Sequence, residues 1–363
     1  MRIALLTYST RPRGGVVHTL ALAEALAARG AGVTVWTIGR GGDTGFYRPV
    51  DPRVRLRVVP FADVPGEGVG PRVLRSIAVL REAFDGGYDI VHAQDCITAN
   101  SVGPCVRTVH HLDSFTTPEL AACHERAILR PHTHVCVSAA VAGELRGGWG
   151  VEATVIPNGV DAARFAAAAG RGAVAARARW RRQLGRYVLA VGGIEPRKGT
   201  LDLVEAMATV RGLRLVVAGG DTLFDYRAYR AEVMERADRL GVAPVVLGPV
   251  PHEELPALVA AAAVFAFPSV KEGFGLAAME ALAAGVPVVV RDTAVFREVF
   301  GDAVAYAASP PQLARELTAA VANPDARRRA AGQRLAVRHT WQAAADAHLA
   351  LYRSVLGAAV PAG

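Results

Sequence analysis

Val264-Phe265-Ala266-Phe267-Pro268-Ser269-Val270-Lys271-Glu272-Gly273-Phe274-Gly275-Leu276 is the stretch whose reading decides the fold of this 363-residue chain. Its first four residues are continuously apolar, as a short strand covered on both faces of a parallel sheet requires. Pro268 and the two glycines punctuate a loop, and a helical pattern then runs over 274–284. Strand, glycine loop and helix in that order form a place where backbone N–H groups and a helix dipole can hold an anion. Glu280 follows Glu272 by eight residues, a little over two helical turns. The two carboxylates can therefore meet one elongated polar ligand at two points, and carboxylates accept the hydroxyl hydrogens of sugars and ribose. Taken alone, the Gly-Phe-Gly turn is also compatible with packing and Glu280 with a surface charge.

The same grammar repeats on either side. In the second half, strand patterns at 187–191, 213–218, 245–247, 264–267 and 286–290 alternate with helical patterns at 200–210, 226–240, 252–261 and 274–284. The strand at 187–191 runs into Gly192-Gly193-Ile194-Glu195-Pro196-Arg197-Lys198-Gly199, a second glycine-bearing loop with cationic charge. In the first half, strands are expected at 3–8, 33–38, 55–59, 89–93, 106–110, 134–137 and 154–156, with Gly14-Gly15 opening a helix that runs to Arg29. Pro157-Asn158-Gly159-Val160-Asp161 is a turn signal, and the Ala/Gly/Arg-rich stretch 162–185 reads as a linker plus a helix. A helical pattern at 341–356 closes the chain without a strand of its own. Two doubly wound α/β domains follow, with boundaries at 1–170 (joined by 341–363) and 171–340. Their ligands belong on loops at the carboxyl ends of the strands.

A composition of 52% hydrophobic and 20% charged residues excludes a disordered chain. No apolar run approaches the roughly 20 residues that span a bilayer, and Met1-Arg2-Ile3-Ala4-Leu5-Leu6 reads as a strand rather than a leader, so a soluble cytoplasmic enzyme is expected. The net charge of +8 points to an anionic partner: a sugar nucleotide, an anionic membrane surface or nucleic acid. The basic runs Arg177-Ala178-Arg179-Trp180-Arg181-Arg182 and Arg327-Arg328-Arg329 lack the aromatic interleaving of a single-strand binder, so no nucleic acid is expected; solvated surface or linker, with peripheral membrane docking as the alternative, fits them better. Of 41 basic residues only Lys198 and Lys271 are lysines, and each stands in one of the two glycine loops. Cys96, Cys105, Cys123 and Cys136 match no zinc spacing, and reduced buried thiols are expected rather than a metal site built with His124, His132 and His134.

With these residues in view, the chain resembles the family-4 retaining glycosyltransferases (glycosyltransferase group 1) of GT-B fold. The matching elements are Gly14-Gly15, the segment 157–161, the segment 192–199, and Pro268-Ser269 through Glu280, in family order across nearly the whole chain. The resemblance implies two Rossmann-like domains facing a cleft, with the C-terminal helix crossing back to the N-terminal domain. The nucleotide-diphosphate sugar would lie on the C-terminal domain and the acceptor mostly on the N-terminal one. Glu280 would hold the ribose hydroxyls and Glu272 those of the donor sugar. Lys198, with Gly273 and the amides of Phe274, Gly275 and Leu276, would hold the diphosphate, and Gly15 would approach it as well. Gly193 stands where many members carry an arginine, which makes Arg197 the expected second cation. His110 matches the family's active-site histidine, though His111 follows directly and Asp113 is close, so the register stays open. Base recognition is expected near Gly219-Gly220-Asp221 and 248–251.

The implied chemistry is transfer of a hexosyl group with retention, the leaving phosphate itself accepting the acceptor's proton. No metal or other cofactor is required, in keeping with the lack of an Asp-x-Asp motif. The acceptor is an unidentified hydroxyl of a small molecule, lipid or glycan. A GT-B-like epimerase or phosphorylase and a non-catalytic nucleotide-sugar binding protein remain open. A nicotinamide-dependent oxidoreductase lacks its GxGxxG fingerprint after the first strand.

Overall fold

A computed structural model describes residues 1–113, 115, 117–220 and 224–358. The apolar runs become two all-parallel sheets. In the first, β1 (Arg2–Leu6), β2 (Gly32–Arg40), β3 (Arg55–Phe61), β4 (Ile90–Ala93), β5 (Val106–Val109), β6 (Thr133–Cys136) and β7 (Thr154–Val155) line up in the order β3-β2-β1-β4-β5-β6-β7. In the second, β8 (Tyr187–Val191), β9 (Arg214–Ala218), β10 (Val245–Gly248), β11 (Val264–Phe267), β12 (Val288–Arg291) and β13 (Ala305–Ala307) take the order β10-β9-β8-β11-β12-β13. In each sheet the order reverses once, between β1 and β4 and between β8 and β11. Loops leaving adjacent strands there diverge to opposite faces, so those are the points where a ligand can enter.

The chain divides into one compact unit formed by 1–159 with 341–363 and another formed by 160–340. The central strands are buried on both faces because every residue is apolar: Val264, Phe265 and Ala266 of β11 are fully buried, and so are Tyr187, Val188 and Leu189 of β8. Val264 pairs with Val188 and Phe265 with Leu189, which sets the two strand ends side by side. In the first unit the last helix, Trp341–Ala358, supplies Trp341, His348 and Tyr352 to the core and is tied to the helix Gly14–Ala28 region by a bidentate Arg29–Asp346 pair at 2.7 and 2.8 Å. Residues 359–363, included in the expected boundary of that segment, lie outside the described residues.

The stretch 162–185 is not a linker. It forms the helices Ala162–Ala169 and Val174–Leu184, joined by a short turn. Its basic run is built into that arrangement: Arg177 donates to the carbonyls of Ala168 and Gly170 at 2.5 and 2.8 Å, Arg181 to that of Ala261 at 3.3 Å, and Trp180 is buried between them. Carbonyls at helix ends have no partner within their own helix, and arginine supplies one. The four cysteines are free thiols, with Cys105, Cys123 and Cys136 buried. His134 on β6 is occupied by the carbonyl of Ile128 at 2.7 Å, and among the described residues no cluster of three or more His, Cys, Asp or Glu could hold a metal. No helix among them is long and apolar enough to cross a membrane.

Candidate active site

The second unit brings the two glycine loops together where its strand order reverses. The segment after β8 turns through Pro196–Lys198 into the helix Thr200–Met207, and the segment after β11 leads into the helix Leu276–Ala283. Val270 donates its amide to the carbonyl of Arg197 at 2.8 Å, stitching one loop to the other. Gly199 sits at the crossing with φ +65°, and a Cβ there would stand 2.3 Å from the Pro268 carbonyl oxygen. Only glycine allows both that backbone shape and that approach.

Three charged groups meet in this crossing. Lys198 Nζ lies 2.5 Å from Glu272 Oε1, and Arg197 Nη1 is 2.9 Å from the same oxygen. Arg197 also pairs with Glu195 at 2.6 Å, and Lys198 lies 5.2 Å from the centre of the Phe267 ring. The sequence assigned Lys198 to the diphosphate and Glu272 to the sugar as separate contacts, whereas the structure pairs them with each other. Lys271 is not among the groups joined by these contacts. Glu195, almost fully buried, was not singled out; the alternation of sign in Glu195-Pro196-Arg197-Lys198 was its only signal.

Beyond Glu272 the chain offers backbone rather than side chains. Phe274 turns its ring into the core, 3% exposed and edge-on to His339 at 5.5 Å, so only its amide is left for a ligand. Gly275 caps the helix Leu276–Ala283 with φ +97°, and a Cβ there would reach Phe300 at 2.9 Å. Gly273 is buried and Leu276 half-buried at the helix start.

Glu280 lies one turn further along the helix, apart from the Lys198–Glu272 contact. Its charged neighbours are Arg164 and Asp161, which the Pro157–Asp161 turn and the following helix place beside it. Burial pushes its carboxyl up to about 7, with Asp161 adding to the rise and Arg164 opposing it. Arg164 itself donates to the His252 carbonyl. Gly219 and Gly220 follow β9; Asp221, expected with them near the base, lies outside the described residues.

In the first unit, His110 is the first residue after β5 and packs against the loop that opens the helix Gly14–Ala28. Its Cδ2 and Nε2 lie 3.7 Å from where a Cβ on Gly15 would stand. His18 meets it edge-on at 4.8 Å, held by a 2.8 Å hydrogen bond between His18 Nδ1 and Asn158 Oδ1. Burial, then His111, Arg107 and His92, push the His110 imidazole down to about 3, so it is neutral at physiological pH. Its Nε2 is buried and has no hydrogen-bond partner in the protein. His111 instead faces Asp113 at 3.2 Å. Behind His110 lies a buried histidine cluster that sequence reading did not anticipate. His92 bonds Tyr352 and Thr108 at 2.6 and 2.7 Å, and the His348 ring lies tilted against His92 at 5.6 Å and edge-on to His18 at 6.3 Å. Its members come from residues 18 to 352, so no local spacing could have revealed it.

Known proteins share this architecture. Residues 177–334 match the model described as glycosyl transferases group 1, and residues 12–164 match that of glycosyltransferase family 4. The chain is 32% identical to the D-inositol 3-phosphate glycosyltransferase of Salinispora tropica, over 93% of this chain and 81% of that protein. It is 28% identical to the phosphatidyl-myo-inositol mannosyltransferase of Mycobacterium leprae, over 98% and 97%. Among solved structures, sucrose-phosphate synthase from Thermosynechococcus elongatus superposes with a TM-score of 0.80 at 20% identity, covering 98% of this chain and 99% of that one. Anabaena HepE in complex with UDP-glucose gives 0.74 at 20% identity, covering 98% and 100%. The fold is therefore GT-B, and the relatives carry the rest of the conclusion: this chain belongs to the group 1 glycosyltransferases and is a glycosyltransferase.

Proposed function

We propose that the protein transfers a hexosyl group from a nucleotide-diphosphate sugar to a hydroxyl acceptor, with retention of configuration and without a metal. The observation that carries this reading is the meeting of Arg197, Lys198 and Glu272 at the β8 and β11 strand ends, beside the start of the helix Leu276–Ala283. A leaving diphosphate gains charge as its bond to the sugar breaks, and fixed cations with helix-end amides stabilise that charge most when it is greatest. Lys198 and Arg197 supply the cations; the amides of Phe274, Gly275 and Leu276 supply the donors. Glu272, already held by the two cations, is oriented to accept sugar hydroxyls. Glu280, on the same helix, accepts from the ribose.

On the first unit, neutral His110 offers Nε2 to a ligand hydroxyl, and Gly15 leaves room beside it. The proton released by the acceptor passes to the leaving phosphate, so no side chain need act as general base. A donor of the UDP-glucose kind is favoured by the ligand bound in HepE. The reading predicts no absorbing cofactor band and no exchange at the sugar carbons, which an epimerase or phosphorylase would require.

The test is incubation with labelled UDP-, GDP- and ADP-sugars, following nucleotide release and the anomeric configuration of any product by NMR. Lys198→Ala should lower kcat by about 10²–10³-fold, the loss typical for one group that stabilises developing charge, with an unchanged melting curve. Normal turnover in that variant, or an inverted product, overturns the mechanism. Binding without any turnover in the wild type would favour a sensor.

A further inference from the structure

The carboxyl ends of β1, β2 and β3 carry a second concentration of positive charge that the donor reading does not use. Arg13 follows β1, Arg40 ends β2, and Arg72 projects from the helix Val69–Ala83 beyond β3. Arg13 donates to the Tyr8 hydroxyl at 3.2 Å, and Arg40 reaches Ser76 Oγ at 3.4 Å while its guanidinium lies 5.4 Å from the Phe61 ring. The Nε atoms of Arg13 and Arg40 are buried without a hydrogen-bond partner in the protein. The three cations repel one another. Burial, then Arg72, then Arg13 bring the Arg40 guanidinium down to about 10, against smaller opposing effects of Tyr8 and Asp63. Neighbouring Arg75 is a different case, since Glu67 neutralises it through bonds of 2.8 and 2.7 Å.

Half-buried guanidiniums, two of them with an Nε–H that no protein group accepts, drawn together against their own repulsion, ask for an acceptor with several anionic oxygens. Phosphate fits better than carboxylate, because its oxygens can be reached from different directions by separate planar forks. The loop that carries Arg13 is the one that carries Gly15. We propose that Arg13, Arg40 and Arg72 bind a phosphate group on the acceptor, so that the sugar is transferred to a hydroxyl of a phosphate ester. This deepens the glycosyltransferase reading and rests on it for the identification of the ligand as acceptor. A soluble polyol phosphate and a lipid headgroup would present the same group.

The experiment measures binding to the full-length protein by calorimetry, with glycerol 3-phosphate as one probe and phosphatidylglycerol vesicles as the other. Phosphatidylcholine vesicles serve as control. Arg40→Gln is compared with wild type and with Lys198→Ala, and Arg72→Gln carries the test if the first variant does not fold. Removing one charged donor should weaken binding by about tenfold or more, while UDP-glucose binding is retained. Loss of glycerol 3-phosphate binding in Arg40→Gln supports the site with a soluble source. Loss confined to the anionic vesicles supports it with a lipid source. The proposal is overturned if neither probe binds the wild type, if both bind the arginine variants unchanged, or if binding disappears only in Lys198→Ala. None of these outcomes depends on sugar transfer, so failure of the donor reading would appear separately, as absent turnover with binding intact.

Discussion

Glu280→Gln separates the cost of the site from its use. A glutamate titrates near 4.5, and burial beside Asp161 raises Glu280 to about 7. Below the lower value the carboxyl is protonated whether the chain is folded or not, and nothing is lost. As pH rises between the two values, the unfolded chain releases the proton and the folded one keeps it, so stability falls; above about 7 the whole penalty is present. The rise amounts to a ceiling of about 3 kcal/mol. Part of the side chain reaches solvent, which screens the effect, so about 1–2 kcal/mol is the expected gain when glutamine removes the charge. For a domain of this size that is a rise in Tm of roughly 2–8 °C. Scanning calorimetry of wild type and variant near pH 8 should show it, and the difference should vanish below about pH 4. The same variant should bind donor about tenfold more weakly, because an amide offers one acceptor where the carboxylate offers charged ones. A Tm difference that is equal at both pH values would refute the argument that Glu280 is held partly protonated.

Other consequences can be checked alongside. Gly199→Ala should destabilise the second unit by about 2–3 kcal/mol and weaken donor binding, since it adds a clash with Pro268 to the strain of a left-handed backbone. Gly212→Ala is the control: its φ is +72° but nothing lies within 4 Å, so only about 1 kcal/mol should be lost in urea titrations, without effect on the donor. The histidines of the first unit act in the opposite pH sense to Glu280. Burial depresses His18 and His92, brings His348 to about 4 and His110 to about 3, so stability is present above the ordinary histidine value of 6.5 and is lost as pH falls toward those values. Acid unfolding followed by the fluorescence of Trp341, which His18 meets at 5.4 Å, should begin below about pH 6; a flat signal down to about pH 4 would contradict it.

The strands were legible because burial on both faces demands uninterrupted apolar runs. Val264–Phe267 and Tyr187–Val191 fall where such runs fall, and their loops announce themselves through glycine and proline. Less was visible where alanine dominates. Ala162–Ala169 packs as a helix by burying Phe165 and Ala168, a face too short to stand out among alanines, and Pro310–Ala322 buries Leu313, Ala314 and Leu317, a helical face that the sequence reading did not take up, as it did not Ala326–Arg338. β13 was missed because three residues make no pattern. Motif order singled out Lys198, Glu272 and Glu280, but not their company. Lys198 meets Glu272 across 74 positions because β8 and β11 are neighbours, and Glu280 lies among Asp161 and Arg164 because two helices meet. Sheet order and helix packing carry that information, and spacing along the chain does not.

The first unit is discontinuous in sequence, and this fixes an order of events during synthesis. Its seven strands are all present once Val155 has emerged, yet Tyr352, the partner of His92, arrives only after the whole second unit. At roughly 5–20 residues per second the interval lasts about 10–40 s. Before it ends the second unit, contiguous over 160–340, has every residue it needs, while His18, His92 and the helix Gly14–Ala28 still lack their cover. The nascent chain therefore completes its C-terminal lobe before its N-terminal one. Truncation before Trp341 would leave the second unit whole and the first without the helix that buries His92, a substrate for chaperones rather than a half-enzyme.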